Sequence, residues 1–293
     1  MVTSPINKKI GLLKPDSKFT IVIPTWNNLP YVQTLINSIN KNSSYNHEIV
    51  LHINDGTDGT LEWAKNQEYI SFTHSKENIG ICKAMNLAAS ISRTEYILYI
   101  NDDMYVCPEW DYFLVEEIKK IGHIYFFLSA TMIEYFDTGN PAVLVGNYGN
   151  SLESFKEDEL LTNYKNHIKT DWFGSTWPPN VVHKDIWDMA GGYSVEFSPG
   201  MYSDPDFSRK LWELGVRIFK GVGESKVYHF GSKSVSRIKK NKGKNTFLNK
   251  WGYTSRYFTK NYLKIGENYS GELKEYQLSN FEKFVNTLKK LKT

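Results

Sequence analysis

Cysteine is almost absent from this chain of 293 residues; Cys82 and Cys107 are the two that occur. That scarcity excludes a disulfide framework and a cysteine-rich zinc site. Long apolar runs are missing too. No stretch approaches the ~18 apolar residues of a membrane span. The opening segment, MVTSPINKKIGLLKP, has no apolar h-region of the kind a secretory leader carries. These absences lead us to expect a soluble, cytoplasmic protein. Internal repeats and low-complexity segments are also lacking. No helix-turn-helix, zinc-finger or RNA-binding signature accompanies the basic residues, so nucleic acid is not an expected partner.

What is present is a large apolar and aromatic fraction, 41% and 15% of residues. That is enough to bury a full core, with ring surfaces to spare for packing or for stacking on sugars or bases. The first half alternates two periods. FTIVIP (19–24), EIVLHI (48–53), ISFTH (70–74) and YILYI (96–100) read as buried strands rich in β-branched residues. Between them, YVQTLINSI, LEWAKN behind a Thr60 cap, and ICKAMNLAASIS read as helices, and EWDYFLVEEIKKI follows the fourth strand. This alternation predicts an α/β fold with a largely parallel sheet flanked by helices. Further on, IYFFLSATMI reads as a strand, DPDFSRKLWELG as a helix stopped by glycine, and VRIFKG and KVYHFG as two short strands. Trp172 and Trp177 lie in an irregular region, either as stacking surfaces or as core.

Sheets of this kind place ligands at the carboxyl ends of their strands. PTWNN follows the first strand, NDGTDGT the second and ENIG the third, while NDD (101–103) ends the fourth. Several chemistries fail at that edge. There is no G-x-G-x-x-G after strand one, no P-loop and no G-x-S-x-G elbow. An aspartyl-phosphate mechanism would need a nucleophile where Ile53 stands. Asp102 and Asp103 at a strand end repel each other and would repel a diphosphate directly. A hard divalent cation, Mg²⁺ or Mn²⁺, reconciles carboxylate and phosphate oxygens. The residues therefore point to a nucleotide-sugar site.

The ordered set FTIVIPTWNN, NDGTDGT, ENIGICKAMNLAAS, YILYINDD, GGY…YSDPDFSRKLWELG and VYHFGSKS resembles the family 2 inverting glycosyltransferases of the glycosyltransferase-A fold. The resemblance covers about Lys18 to Ser234. It implies a nucleotide-diphospho-sugar-binding fold, a nucleotide-sugar donor, Mn²⁺ or Mg²⁺, and direct displacement at the anomeric carbon. It also implies roles for particular residues. Pro24 and Thr25 would line the nucleoside pocket, with Asp55 accepting from the base. Asn78 and Gly80 would lie in a loop near the donor, with Lys83 facing its phosphates, and Gly191 and Gly192 near donor sugar and acceptor. Asp102 would touch ribose or metal, and Asp103 would ligate the metal. Asn101 stands where many members carry a further Asp. His229 would add a metal or diphosphate contact. Asp204 would be the general base, with Asp206 as fallback, because Ser203 replaces the first acid of the usual pair. Taken alone, Asp204 also reads as an N-cap ahead of Pro205, and Lys83 as a solvated helix residue.

Two other functions compete. One is a nucleotidyltransferase that makes nucleotide sugars, although PTWNN offers none of the glycine-rich loop such enzymes carry. The other is a non-catalytic module that binds a sugar nucleotide or glycan. The expected organisation is a lead over residues 1–17, a catalytic domain over 18–234 and a basic helical extension over 235–293. From Gly231 onward the chain has 15 basic and 4 acidic residues, densest in RIKKNKGKN (237–245). Such a tail suits an anionic membrane or an anionic acceptor, and equally packing on the catalytic domain or pairing with a second copy. The acceptor expected is a glycan, a lipid-linked species or another hydroxyl compound, in assembly of surface polysaccharide or glycoconjugate at the inner face of the membrane.

Overall fold

The structure is a computed structural model and describes residues 7–231 and 241–290. The expected boundary at 234/235 and the run from Arg237 to Lys240 lie outside the described residues. Chain order begins with β1 (Asn7–Lys9), β2 (Phe19–Trp26), α1 (Leu29–Asn42), β3 (Glu48–Asn54), α2 (Thr60–Lys65), β4 (Ile70–Ser75), α3 (Ile81–Ala89) and β5 (Tyr96–Tyr99). It continues through β6 (Met104–Val106), α4 (Trp110–Ile121), β7 (Phe126–Glu134), β8 (Leu144–Val145), α5 (Glu157–Asn163), β9 (Trp172–Phe173), β10 (Asn180–His183) and α6 (Lys184–Ala190). The last elements are α7 (Ser203–Glu213), β11 (Ile218–His229), α8 (Gly243–Trp251), α9 (Ser255–Tyr257) and α10 (Asn280–Lys290).

Among the described residues one sheet runs β1-β4-β3-β2-β5-β10-β7-β11-β6, with β8 on β7 and β9 on β11. The β4-β3-β2-β5 half is parallel, as the alternating pattern predicts. The other half is mixed: β10 runs antiparallel between β5 and β7, while β7 and β11 are parallel. Both faces are covered. Phe19, Ile21, Ile23, Leu51 and Leu98 pack with α1 and α4 residues in one core cluster. Val22, Val50, Ile97 and Tyr99 pack with α3, α6 and α7 residues in another. Alternate residues of each strand thus feed opposite layers.

Several local expectations change. Within the described part of the lead, β1 extends the sheet by pairing with β4. VRIFKG and KVYHFG form one strand, β11, with a register irregularity between Val222 and Lys226. Thr60 does not cap α2. It is the first helical residue, after Gly59 at the N-cap, and its amide donates to the Asp58 carboxylate at 3.0 Å. The described part of the extension packs on the body, one of the alternatives open to it, with Phe247, Tyr253, Phe258, Tyr262 and Leu263 buried in the cluster that holds α7. Lys250 pairs with Asp206 at 2.9 Å, and the Trp251 indole donates to the same oxygen at 2.7 Å.

Candidate active site

The chain runs outward from β2 through β3 to β4, then returns to place β5 on the other side of β2. Ligands bind where strand order reverses in this way. The carboxyl ends of β2 and β5 meet there, and the Thr25 hydroxyl donates to Asp102 Oδ2 at 2.7 Å across the junction. Pro24, Thr25, Trp26, Asn54, Asn78, Asn101, Asp102 and Asp103 line one cavity of about 450 Å³. The opposite wall brings Trp177, Pro199, Gly200, Met201, Ser203 and Asp204, and Glu134 and His229 complete it.

Strand register builds the acidic corner. His229 of β11 is opposite Glu134 of β7 on one side and Met104 of β6 on the other. Asp103 immediately precedes β6, and its carbonyl accepts from the Phe230 amide at 3.1 Å. His229 Nδ1 therefore meets Glu134 Oε1 at 2.7 Å, and Nε2 lies 3.4 Å from Asp103 Oδ1. Burial alone would push the imidazolium pKa down, but Asp103 and Glu134 outweigh it and raise it to about 9. Metal-binding histidines donate one ring N–H to a carboxylate as His229 does to Glu134, and His229 would have to lose its Nε2 proton before that nitrogen could ligate. No group of three such side chains able to hold a metal occurs among the described residues. Asp102, Asp103 and His229 line the cavity together without making such a group.

Asp204 occupies the first turn of α7 but is not its cap; Tyr202, at φ 73°, precedes the helix. Tyr193 donates its hydroxyl to Asp204 Oδ1 at 3.0 Å. Burial pushes the Asp204 carboxyl up to about 7, against the lowering from Tyr193. Tyr193 is itself clamped by Asn86, which accepts from its amide at 2.7 Å and donates to its carbonyl at 2.8 Å. Gly192 makes room for this clamp. At φ 61°, a Cβ there would stand 2.4 Å from Asn86 Oδ1.

Other expected residues sit elsewhere. Asp206 is 0% exposed and does not line the cavity; it serves the α8 contact instead. Gly191 and Gly192 close α6 off the cavity wall. Lys83 is an exposed helix residue. Gly80, at φ 78°, lets the chain approach Pro199, whose carbonyl accepts from the Ile81 amide at 2.8 Å. Asp55 is held by Asn27 at 2.9 Å, and its neighbour Asn54 reaches the cavity in its place. Trp172 is core, with its indole on Thr131, whereas Trp177 faces the cavity. Both cysteines are buried, with pKa values pushed up to about 12. Glu134 and Tyr193 are additions the sequence did not single out. Glu134 had a readable signal, an acidic residue closing an apolar strand as Asp102 does.

Sheet order, switch-point cavity and acidic strand end define a glycosyltransferase-A type fold. Solved structures agree. S. aureus TarS residues 1–349 superpose with a TM-score of 0.56 at 16% identity, covering 79% of this chain and 64% of that one. GalNAc-T7 with UDP, GalNAc and Mn²⁺ gives 0.55 at 15% identity, covering 78% and 45%. The mannosyltransferase PcManGT from Pyrobaculum calidifontis, with GDP-Man and Mn²⁺, gives 0.50 at 14%, covering 83% and 63%. The description "Glycosyl transferase family 2" matches residues 20–178, and the chain belongs to that family. It is 25% identical over 254 residues to Glycosyltransferase GlyA of Streptococcus pneumoniae serotype 4, covering 80% of this chain. The chain spans 33% of that relative's length.

Proposed function

We propose that this protein is a metal-dependent, inverting glycosyltransferase that moves a sugar from a nucleoside-diphosphate donor to a hydroxyl acceptor. One observation carries the reading: Asp102–Asp103, in the turn between β5 and β6, and Asp204, in the first turn of α7, line the same cavity. The acidic pair suits a divalent cation that accompanies the donor diphosphate, and the other carboxylate suits the acceptor. Family membership and the nucleotide-sugar complexes of the structural neighbours support it.

Pro24, Thr25 and Asn54 line the nucleoside end. Asp103, with His229 held by Glu134, would bind the divalent cation, and Asp102 would share it or meet the ribose. A bound cation offsets the charge that develops on the departing diphosphate. Asp204 takes the acceptor proton as the acceptor oxygen bonds to the anomeric carbon. The bond from that carbon to the diphosphate oxygen breaks on the opposite face, and the diphosphate leaves with the electron pair. The pKa of about 7 suits this base, because near neutrality it is available ionised and still basic. Tyr193 holds Oδ1, and Asn86 holds Tyr193. Trp177 offers a ring for a sugar face. Product stereochemistry tests the reading: NMR of product from an α-linked donor should show a β-linkage. Retention of configuration would exclude Asp204 as a base for direct displacement. Pyrophosphate release from a nucleoside triphosphate would mark a nucleotidyltransferase instead.

A further inference from the structure

Helix α10 has its amphipathic pattern turned outward. Phe281, Phe284 and Leu288 share one face at i, i+3 and i+7 and are 73%, 60% and 43% exposed. The residue this helix buries is Asn286. Its polar side meets the body and its apolar side meets solvent, the reverse of a helix docked for its own stability.

The orientation is fixed by specific bonds. Glu282 accepts from the Ser279 amide at 2.9 Å and the Ser279 hydroxyl at 2.8 Å. It also accepts from the hydroxyls of Tyr276, at 2.8 Å, and Tyr257. Lys290 Nζ reaches the Asn249 carbonyl at 3.3 Å.

Charge divides along the same line. Residues 241–290 carry 10 basic and 4 acidic residues, whereas residues 1–230 carry 20 basic and 28 acidic. An anionic surface attracts the end that bears α10 and repels the rest, which sets an orientation as well as an affinity. A second copy is the weaker occupant. An 11-residue helix is ~16 Å long, and three side chains on it fall short of the ~800 Å² per partner that a stable interface buries. A shallow apolar wedge with nearby lysines is sufficient for an interfacial helix on an anionic bilayer. No helix among the described residues is long and apolar enough to cross a membrane.

We propose that α10 is an interfacial anchor that seats Phe281, Phe284 and Leu288 at the headgroup–acyl boundary of an anionic bilayer. The inference is independent of the chemistry proposed for the cavity. The test is co-sedimentation of the full chain with phosphatidylcholine vesicles, with and without phosphatidylglycerol. The expected result is binding to the anionic vesicles that weakens as salt rises. The Phe281→Ser/Phe284→Ser/Leu288→Ser variant should lose roughly tenfold or more in partitioning with unchanged circular dichroism. Lys283→Glu/Lys289→Glu should weaken binding to anionic vesicles alone. Wild-type binding that is absent, or equal on neutral vesicles, overturns the proposal. So does undiminished binding by the triple serine variant. If that variant instead abolishes a dimer seen by sedimentation velocity, with no vesicle binding in the parent, the face belongs to a second copy and the proposal fails.

Discussion

The Tyr193 hydroxyl donates to Asp204 Oδ1 at 3.0 Å, so a core residue outside the sheet holds a carboxylate of the cavity wall. Folding around this pair raises the Asp204 pKa from 3.8 to about 7. A base must be ionised to act, so kcat/KM should rise with pH and level off above about 7. A pH–rate profile checks this. Asp204→Asn should lower kcat by about 10²–10⁴-fold and leave donor binding unchanged by calorimetry.

The same shift has a consequence for stability. Between 3.8 and about 7 the folded state keeps a proton on Asp204 that the unfolded chain has lost. Stability from this group therefore falls as pH rises through that window and stays low above it. Asp204→Asn removes the loss. Its Tm should exceed that of the parent near pH ~8 and approach it near pH ~4, measured by scanning calorimetry.

Tyr193→Phe should act through Asp204. The lost hydrogen bond lowered the carboxyl pKa, so the midpoint of the pH–rate profile should move upward. A purely structural role for Tyr193 would lower Tm and leave the midpoint where it was.

Asp206 and Lys250 should behave differently from Asp204. Asp206 is 0% exposed, and Lys250 and Trp251 of α8 satisfy its Oδ1. Lys250→Met leaves a buried carboxylate without its cation and should cost about 3 kcal/mol by urea denaturation. Asp206→Asn should reduce stability while the folded fraction keeps its kcat.

Much of this architecture is legible in the sequence. Phe19–Pro24, Glu48–Ile53, Ile70–His74 and Tyr96–Ile100 are apolar, β-branched runs, and each is a strand. Strands β6, β8, β9 and β10 are two to four residues long, too short to show a period. Strand β11 reads as two because Gly221, Gly223 and Glu224 interrupt its apolar run. At the cavity, Pro24, Thr25, Asn78, Asp102, Asp103, Asp204 and His229 all converge, each close to a strand end or a helix start. Glu134 needs the β7–β11 register to find His229, and Tyr193 needs the Asn86 clamp. Neither relationship is local in sequence. Asp55, Gly80 and Lys83 lie one or two residues from the lining residues Asn54 and Ile81, a difference that pattern alone does not resolve, whereas Gly191 and Gly192 close α6 and adjoin the Asn86 clamp.

The central claim is that Asp103 helps hold a cation that bridges the protein to a donor diphosphate. The direct measurement is calorimetric titration of nucleoside diphosphates and nucleotide sugars into the parent protein and Asp103→Ala, with Mn²⁺ and with a chelator. At least one nucleotide sugar should bind with Mn²⁺, and chelation or Asp103→Ala should remove that binding. Binding of equal strength without metal and in Asp103→Ala would contradict the claim.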